Sequence, residues 1–471
     1  MTNKRLIRLI SLSLVLCMFA LQIGCAKQET HIEIEPMEPE QSHAISFDII
    51  GGKDVMPIGG YYGPYIAAHS PNAQPLPDFC TDEYIKGISE AGVNLIVHTA
   101  SDTLIAFGEK LLDLGEKYGV GIFVNDSRIT SMKGKDATIS SARITELFSS
   151  YINHPACCGL YLVDEPGGKD YWTKAAGNNM EDYAALTKVL KKDIGVDFYT
   201  NLIRINTKEQ REVYESYLKE YCETMNPSIM CFDLYVWDKG DTKTIYLYNL
   251  ALARKYAQEY EIPLWNFIGC GTYWSGKEID GDYELAPLEG QFDWSINTSL
   301  AFGAQGINYF MLIQPYYFAS TSNPEVFEFE KNGMFGARGN KNRWYYYAQD
   351  ISKQISAVDS VLMNSVNKGV IASGKEAMTD IADSPNVMIE GTSWRELAGV
   401  EGNALVGCFN YQGKTALYVV NYDADYAQDI TLTFHDTYKM QVTQDGKTDY
   451  LQGKSLTLNM KAGDGALIVF E

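Results

Sequence analysis

The sequence predicts a (β/α)8 barrel followed by a small antiparallel β-sandwich. From about residue 45 to 365, eight short apolar runs alternate with longer amphipathic segments. This alternation is typical of parallel βαβ units, and eight units in roughly 300 residues fit a closed barrel. A doubly wound open sheet, the rival fold, usually carries a glycine-rich phosphate loop after its first strand. Gly59-Gly-Tyr-Tyr-Gly63 lacks that GxGxxG spacing.

The apolar runs are predicted as strands, and the amphipathic segments between them as helices. The strands are expected at 57–65, 93–99, 120–126, 159–165, 197–204, 229–237, 263–273 and 307–316. The helices are expected at 103–118, 140–151, 180–192, 208–225, 246–260, 292–302 and 343–363.

Near residue 368 the apolar pattern changes to a period of two. Alternating runs occupy 416–422, 428–434, 455–460 and 466–470, and glycine-containing turns separate them. This pattern predicts an antiparallel β-sandwich of about 100 residues. It is interpreted as a packing domain, with carbohydrate binding as the alternative.

The N-terminus is predicted to be a targeting segment. Three basic residues among the first eight precede the apolar stretch 9–21, which is too short to span a bilayer stably. Gln22-Ile-Gly-Cys25 resembles a bacterial lipoprotein cleavage box, although Gln22 stands where Leu is usual. The resemblance implies that Cys25 becomes a lipidated N-terminus anchored to a membrane face. The predicted organisation is signal peptide 1–25, flexible tether 26–43, barrel 44–365 and β-sandwich 366–471.

The composition of the chain indicates which kinds of partner the protein can bind. The net charge of −21 repels polyanions, so nucleic acid is not expected as a partner. Aromatic residues make up 12%, with 32 Tyr, and tyrosine suits a wet cleft that stacks on a polar ligand such as a sugar ring. Many of these tyrosines are also expected simply to cover the barrel.

Cysteine and histidine usage predicts neither disulfides nor a metal site. Seven cysteines follow Cys25, an odd number at irregular spacing, which argues against a disulfide framework. Cysteines and histidines show no zinc-ligand spacing. No metal and no cofactor are therefore predicted.

The strongest functional signal is the run Gly159-Leu-Tyr-Leu-Val-Asp-Glu-Pro166. An apolar strand leads into two adjacent carboxylates, and a barrel places its catalytic groups at such strand ends. The structural alternative is that Asp164 or Glu165 caps the next helix. Pro166 indicates that the strand has ended, which would allow both carboxylates to reach the barrel mouth.

The other strand ends supply rings, amides and acids, the mixture that binds sugar hydroxyls and C–H faces. Asp233 ends strand six, and Asp126 and Arg204 follow strands three and five. The residues expected to bind substrate are Tyr62, His98, Asn125, Asn201, Tyr235, Trp237, Tyr273, Trp274 and Gln314.

Residues 159–166 resemble the fourth-strand signature of retaining clan A glycoside hydrolases, in which Asn-Glu-Pro is common. Residues 299–310 are similar to the passage from helix seven to strand eight in family 42-like and family 5-like barrels. The resemblance implies a (β/α)8 glycoside hydrolase with Glu165 as general acid/base, its pKa raised by burial or by Asp164.

The sequence departs from that pattern at two points. Asp164 replaces the usual Asn, and the seventh strand carries no carboxylate where a nucleophilic Glu is expected. Asp233 is the leading candidate for the second carboxylate, with Asp164 orienting or tuning Glu165. Further candidates lie in the loop after strand seven and at the next helix start, namely Glu278, Glu284 and Glu289.

Alternatives stay open at this stage. The adjacent Asp164–Glu165 pair resembles family 20 hexosaminidases, which implies a substrate-assisted mechanism. A non-catalytic glycan-binding lipoprotein on a degenerate barrel would also explain the missing carboxylate. A lyase or an esterase is less favoured, since no serine nucleophile elbow supports an esterase. The preferred hypothesis is hydrolysis of a neutral oligo- or polysaccharide.

Overall fold

The computed structural model describes residues 34–64, 78–97, 109–237, 242–271, 278–279, 282–283, 287–314 and 332–471. The predicted lipidation site, Cys25, lies outside these residues. Among the described helices, none is long and apolar enough to cross a membrane.

The first part of the chain is the predicted eight-stranded parallel barrel. Its strands are β1 (Ile58–Tyr61), β2 (Leu95–Val97), β3 (Gly121–Val124), β4 (Cys157–Asp164), β5 (Phe198–Asn201), β6 (Met230–Phe232), β7 (Leu264–Gly269) and β8 (Ala304–Phe310). They pair in the order β5-β4-β3-β2-β1-β8-β7-β6.

The seam between β5 and β6 closes the ring. A single parallel bridge joins Leu202 to Phe232 there, and the Leu202 amide donates to the Cys231 carbonyl at 3.0 Å. The predicted fold class is confirmed, and the seam lies one residue away from two of the candidate site residues, Asn201 and Asp233.

Helices follow the strands around the barrel. They are α1 (Asp82–Glu90), α2 (Glu109–Tyr118), α3 (Ser127–Thr130), α4 (Ser141–Phe148), α5 (Met180–Lys188), α6 (Arg211–Glu220), α7 (Lys243–Glu259), α8 (Glu289–Ala301) and α9 (Arg343–Met363). Helices α5 and α6 run on as the π-helical segments Val189–Ile194 and Tyr221–Met225, and short 3-10 turns occupy Asp48–Ile50 and Lys208–Gln210. Helix α7 begins earlier than predicted because the Thr242 hydroxyl caps it, accepting from the Ile245 amide at 3.2 Å.

Aromatic side chains fill the barrel interior. Tyr61, Tyr161, Tyr199 and Trp265 pack there among aliphatic residues from the strands. Gly306 is required on β8, since a Cβ at this position would lie 2.5 Å from the indole ring of Trp265. The interior is therefore a packed core rather than a pore, and a ligand can reach only the mouth.

The second part of the chain is antiparallel, as predicted. Its strands are β9 (Ser365–Ser373), β10 (Leu397–Glu401), β11 (Ala404–Tyr411), β12 (Lys414–Asn421), β13 (Gln428–Gln444), β14 (Lys447–Met460) and β15 (Gly465–Phe470), and helix α10 (Lys375–Ile381) follows β9. They form one seven-stranded sheet, ordered β9-β11-β12-β15-β13-β10 with β14 on β13.

Strand β13 gives this sheet its two layers. Its first half pairs with β10 and its second half with β15, with a register shift between Thr433 and Tyr438. Side chains from both halves, such as Leu432 and Met440, share one buried cluster. The domain is therefore sandwich-like, with its own core.

The β-domain packs directly on the barrel. Arg254 of α7 is buried and donates to the side-chain and main-chain oxygens of Asn367, at 2.7 and 3.1 Å. The segment before the barrel lies along both parts, where Glu38 accepts from Asn410 at 2.8 Å and Ser42 accepts from Gln305 at 2.6 Å. The predicted tether, 26–43, thus includes a stretch attached to the body at its C-terminal end.

Candidate active site

Three carboxylates gather where β4, β5 and β6 end. Asp164 is the last residue of β4 and pairs with Asn201, the last residue of β5, while Asp233 directly follows β6. The side-chain amide of Asn201 donates to Asp164 Oδ1 at 3.2 Å and to Asp233 Oδ2 at 3.1 Å. Two oxygens that share one donor nitrogen lie at most about 6 Å apart, so Asn201 ties the two acids into one cluster.

Glu165 joins this cluster because the chain turns immediately after β4. Its φ is 45°, in the left-handed region, and its amide donates to the Asn201 carbonyl at 2.9 Å. Successive side chains of an extended strand point to opposite faces, but a left-handed residue breaks that alternation. The strand thus ends at Asp164, one residue before its predicted end at Glu165, and both carboxylates interact electrostatically with Asp233.

The helix-capping alternative for Asp164 and Glu165 is wrong. The helix that follows β4 is α5, and its N-cap is Asn179. A helix-capping acid does occur after β3, where Asp126 is the N-cap of α3. Asp126 is fully buried and accepts from the Arg128 amide at 3.0 Å and from the Tyr151 hydroxyl at 2.5 Å. Asp126 is thus a structural acid outside the carboxylate cluster.

The electrostatics of the cluster favour retained protons. Burial raises the pKa of Glu165 to about 7, the negative charge of Asp164 adds to this shift, and Lys174 and Arg204 oppose it. Burial also raises the pKa of Asp233 well above its usual range, followed by the charges of Glu165 and Asp164. A carboxyl group with a pKa near 7 is suited to donating a proton at neutral pH.

Asp164 differs from the other two acids in being solvent-exposed. The surrounding protein nevertheless raises its pKa by desolvation, an effect that hydrogen bonds from Asn201 and Tyr61 oppose. This combination describes a carboxylate on the wall of a cleft, reachable by a ligand and held in a fixed orientation.

The protonation of Asp233 depends on that of Glu165, because the charge of Glu165 raises the pKa of Asp233. When Glu165 holds a proton this contribution is lost, while burial and the charge of Asp164 still raise the pKa of Asp233, and Asn201 and Arg204 still lower it. A protonated Glu165 therefore makes the charged form of Asp233 easier to reach.

An aromatic layer adjoins the acids. The hydroxyls of Tyr61 and Tyr161 are 2.6 Å apart inside the mouth. Tyr62, whose φ is 57°, packs edge-on against Tyr61 at 4.8 Å and contacts Phe310 at 5.4 Å. Tyr235 stacks on Phe310 at 5.4 Å. Of the predicted substrate-binding residues, Tyr62 and Tyr235 therefore belong to one continuous ring surface next to the carboxylates.

Trp237 is fixed to α8. Its indole N–H donates to the Gln291 carbonyl at 2.8 Å and to Ser295 Oγ at 2.9 Å. Its ring packs edge-on against Trp294 at 5.5 Å, with the Lys243 ammonium 5.8 Å from the ring centroid. The indole N–H is thus engaged within the protein, which leaves the half-buried ring itself as the part of Trp237 that can contact a ligand.

Lys243 also connects Trp237 to the β-domain. Its ammonium lies 4.7 Å from the ring centroid of Tyr422 and 2.9 Å from Glu376 Oε1. The orientation of Trp237 at the barrel rim thus depends on contacts from both parts of the chain.

The remaining predicted site residues are placed differently. Asn125 directly follows β3. Gln314 is 1% exposed, and its side-chain oxygen accepts from the Asn332 amide at 3.3 Å, within the loop after β8. Glu289 is exposed in the first turn of α8, where the helix dipole favours an acid. His98, Tyr273, Trp274 and Glu284 lie outside the described residues, and Glu278 is described only as part of a two-residue strand.

Two residues of the mouth, Tyr161 and Lys174, carry no prediction from the sequence, whereas Tyr61 stands with Tyr62 at the end of the first predicted strand. Tyr61 and Tyr161 point into the barrel beneath Asp164, and Lys174 acts on the acids from the loop after β4. Asn201 is predicted as a substrate ligand, but its amide nitrogen is engaged by two carboxylates. Alternation along β4 could have identified Tyr161, whereas Lys174 lies in a loop without a pattern.

No protein-family model matches this chain, and neither does any curated protein. The chain is similar to the structure of a β-galactosidase from the psychrophilic Marinomonas ef1, with 8% identity, 88% of this chain and 100% of the other covered, and a TM-score of 0.48. It is also similar to an exo-β-1,4-mannosidase from Opitutaceae bacterium strain TAV5, with 12% identity, coverages of 68% and 63%, and a TM-score of 0.44. A GH2 β-galacturonidase from Eisenbergiella tayi gives 14% identity, coverages of 63% and 51%, and a TM-score of 0.43. Similarity this distant does not extend to activity or substrate.

Proposed function

We propose that the protein is a glycoside hydrolase that cleaves a neutral oligo- or polysaccharide. The observation that carries the proposal is the carboxylate cluster at the mouth of the barrel. There, Glu165 has a pKa of about 7 and interacts with Asp233, while Asp164 lies beside it in the sequence. Glycoside cleavage needs a protonated carboxyl and a charged one on either side of the scissile bond.

Glu165 acts as the general acid in this proposal. Its proton passes to the glycosidic oxygen as the bond to the anomeric carbon breaks. In a retaining reaction its charged form then activates the water that releases the sugar from the second carboxylate, whereas in an inverting reaction the second carboxylate activates that water. A pKa of about 7 leaves the carboxyl substantially protonated at neutral pH while keeping it acidic enough to transfer that proton.

Asp233 is the proposed second carboxylate. In its charged form it is stabilised by the Asn201 amide at 3.1 Å and by the positive charge of Arg204. It either attacks the anomeric carbon or activates a water there, depending on its separation from Glu165, which is ~5–5.5 Å in retaining and ~6.5–9.5 Å in inverting enzymes.

Asp164 gives a second candidate mechanism. It is exposed to the cleft and oriented by Asn201 and Tyr61, so it could steer a 2-acetamido group whose carbonyl oxygen then attacks the anomeric carbon. The two mechanisms can be distinguished by the sugars that the enzyme cleaves. Substrate assistance requires a 2-acetamido sugar, whereas the two-carboxylate mechanism also accepts sugars with a free 2-hydroxyl.

The test compares Glu165→Gln, Asp233→Asn and Asp164→Asn with the wild type on a panel of gluco-, galacto-, manno- and 2-acetamido-configured oligosaccharides. Loss of at least about 10²-fold in kcat for Glu165→Gln is expected, the size typical of a lost general acid. Glu289→Gln is the matched control, because that carboxylate is exposed at a helix start. If the wild type binds these sugars without cleaving any of them, the glycan-binding alternative replaces the hydrolase.

We also propose that the mature protein is lipidated on Cys25 and held to a membrane. The support is the sequence pattern before Cys25. Incorporation of labelled fatty acid into the wild type, and its loss in Cys25→Ala, would support this; equal membrane association of both would contradict it.

A further inference from the structure

Trp172 is an exposed tryptophan on the loop that follows Asp164 and Glu165. Its side chain is 48% accessible to solvent, whereas Trp265, Trp294 and Trp344 are completely buried. An isolated exposed apolar side chain is common on protein surfaces, but tryptophan is highly buried on average. A tryptophan exposed to this extent is therefore a candidate for contact with a ligand.

The loop that carries Trp172 is tied down along its length. The Asn179 side chain accepts from the Lys174 amide at 2.7 Å and donates to the Lys174 carbonyl at 3.0 Å. The Gly168 amide donates to the Tyr171 carbonyl at 2.9 Å, and the Tyr171 hydroxyl donates to the Arg204 carbonyl at 2.7 Å. The ring is thus presented from a fixed backbone, which lowers the entropy cost of binding on it.

The backbone of Trp172 is strained. Its φ is 55°, a left-handed conformation that is rare and unfavourable for a large side chain. Backbone strain of this kind is concentrated at functional sites. Glu165 and Tyr62 have φ values of 45° and 57° at the same mouth.

The loop brings Trp172 back to the residues that follow Glu165. A Cβ placed on Gly167 would lie 2.9 Å from the Trp172 carbonyl oxygen and 2.7 Å from the Lys174 nitrogen. Gly167 is two residues after Glu165, so only a glycine permits this approach. The Trp172 backbone therefore packs directly beside the chain that positions the acid.

Lys174 connects the ring to the acids. Its ammonium lies 5.8 Å from the centroid of the Trp172 ring. The same positive charge acts on Asp164 and Glu165, whose pKa values it lowers. The Trp172 ring and the two acids therefore interact with the same ammonium group.

We propose that Trp172 is the stacking platform for the sugar on the leaving-group side of the scissile bond, with Lys174 pairing a hydroxyl of that sugar. This inference rests on the proposed hydrolase function. The general acid must reach the glycosidic oxygen, so its own loop borders the sugar attached through that oxygen. A flat indole face suits the C–H face of a neutral pyranose.

The test separates the leaving-group site from the chemistry. The probes are glycosyl fluorides, whose leaving group carries no sugar, and trisaccharides of the same glyco-configurations in α and in β linkage. Trp172→Ala is expected to lower kcat/KM on the trisaccharide about tenfold, the size of one ring contact, and to leave turnover of the fluoride unchanged. Trp172→Phe should recover most of the loss.

Tyr426→Ala is the matched control, because Tyr426 is a 73% exposed aromatic in the β-domain. Circular dichroism and thermal unfolding of each variant exclude loss of the fold. If the wild type hydrolyses trisaccharides and Trp172→Ala does so equally well, Trp172 is not a platform. A parallel loss on the fluoride would make its role structural. If the wild type hydrolyses neither probe, the proposed function itself fails.

Discussion

Glu165→Gln is expected to stabilise the folded protein, and only above acidic pH. The pKa of Glu165 is raised from 4.5 to about 7, first by burial and then by the charge of Asp164. One pKa unit corresponds to about 1.4 kcal/mol, so the charged form costs about 3 kcal/mol of folding free energy at high pH. Partial solvent access of the side chain reduces this to about 2–3 kcal/mol.

The sign follows from proton binding. Below pH 4.5, Glu165 is protonated in the folded and unfolded states alike, so glutamine replaces a neutral group by a neutral group. Between pH 4.5 and about 7 the folded state binds more protons than the unfolded state, so wild-type stability falls as the pH rises. Above pH 7 the full cost is present, and the variant keeps its whole advantage.

Chemical denaturation of both proteins at pH 4, 6 and 8 measures this difference. The free energy of unfolding should differ little at pH 4, and at pH 8 it should favour Glu165→Gln by about 2–3 kcal/mol. Glu212→Gln, on the exposed surface of α6, is the control and should show no such rise. Equal effects at pH 4 and pH 8, or a less stable variant at pH 8, would refute the assignment of Glu165 as a destabilised acid.

Three further outcomes follow from the same contacts. Asn201→Leu removes a donor from Asp164 and Asp233, so the acidic limb of the pH–kcat/KM profile should move up by about one unit. Asn266→Leu, a buried amide change whose partners are hydroxyls, should leave the profile in place. Lys243→Met should raise KM more than it lowers kcat, because Lys243 positions the rim residue Trp237, and Lys243→Arg should restore KM. Asp126→Ala should cost about 1–3 kcal/mol near pH 7, because it leaves the buried Tyr151 hydroxyl and the Arg128 amide without their acceptor. The pKa of Asp126 is lowered in the folded state. Its contribution is therefore present above its unfolded pKa and lost as the pH falls, which denaturation at pH 3 and pH 7 would show.

The sequence predicts the barrel because the strands of a parallel sheet leave a recognisable apolar pattern in it. Strands covered on both faces require continuous apolar runs, and each of the eight predicted runs overlaps an observed strand, although β4 and β8 begin two and three residues before their runs. The residues at which the strands end are less predictable. The first run is expected to reach residue 65, but β1 stops at Tyr61 because Tyr62 adopts a left-handed conformation that hydrophobicity does not encode.

The membership of the acid cluster is also visible in the sequence, but its internal bonding is not. Strand ends that are consecutive in a barrel are neighbours in space, so the ends of strands four, five and six are expected to bring Asp164, Asn201 and Asp233 near one another. The register shift between Tyr161 and Val163 sets the pairing of Asp164 with Asn201, and that irregularity turns an expected sugar ligand into the group that holds two acids. A local bulge of this kind leaves no periodic trace in the sequence.

A functional residue in a loop, such as Trp172, is likewise not predictable from the apolar pattern. Site residues are sought at strand ends, and Trp172 lies eight residues beyond the end of β4 in a segment with no apolar period. It returns to the mouth because Gly167 allows close backbone contact and the Asn179 side chain closes the loop, both of which are tertiary facts.

The seventh strand carries no carboxylate, and the acid cluster instead draws its acids from strands closer together in the barrel. The acids come from β4 and β6, with β5 between them, rather than from strands three apart in the ring. Neighbouring strands lie about 4.8 Å apart, so acids two strands apart start about 10 Å from each other at the backbone. The side chains must converge to approach catalytic separation, and the single Asn201 donor that both Asp164 and Asp233 share enforces this convergence. In this barrel the spacing of the acids thus depends on one amide at the β5–β6 seam, which makes Asn201 as important to the proposed chemistry as the carboxylates it holds.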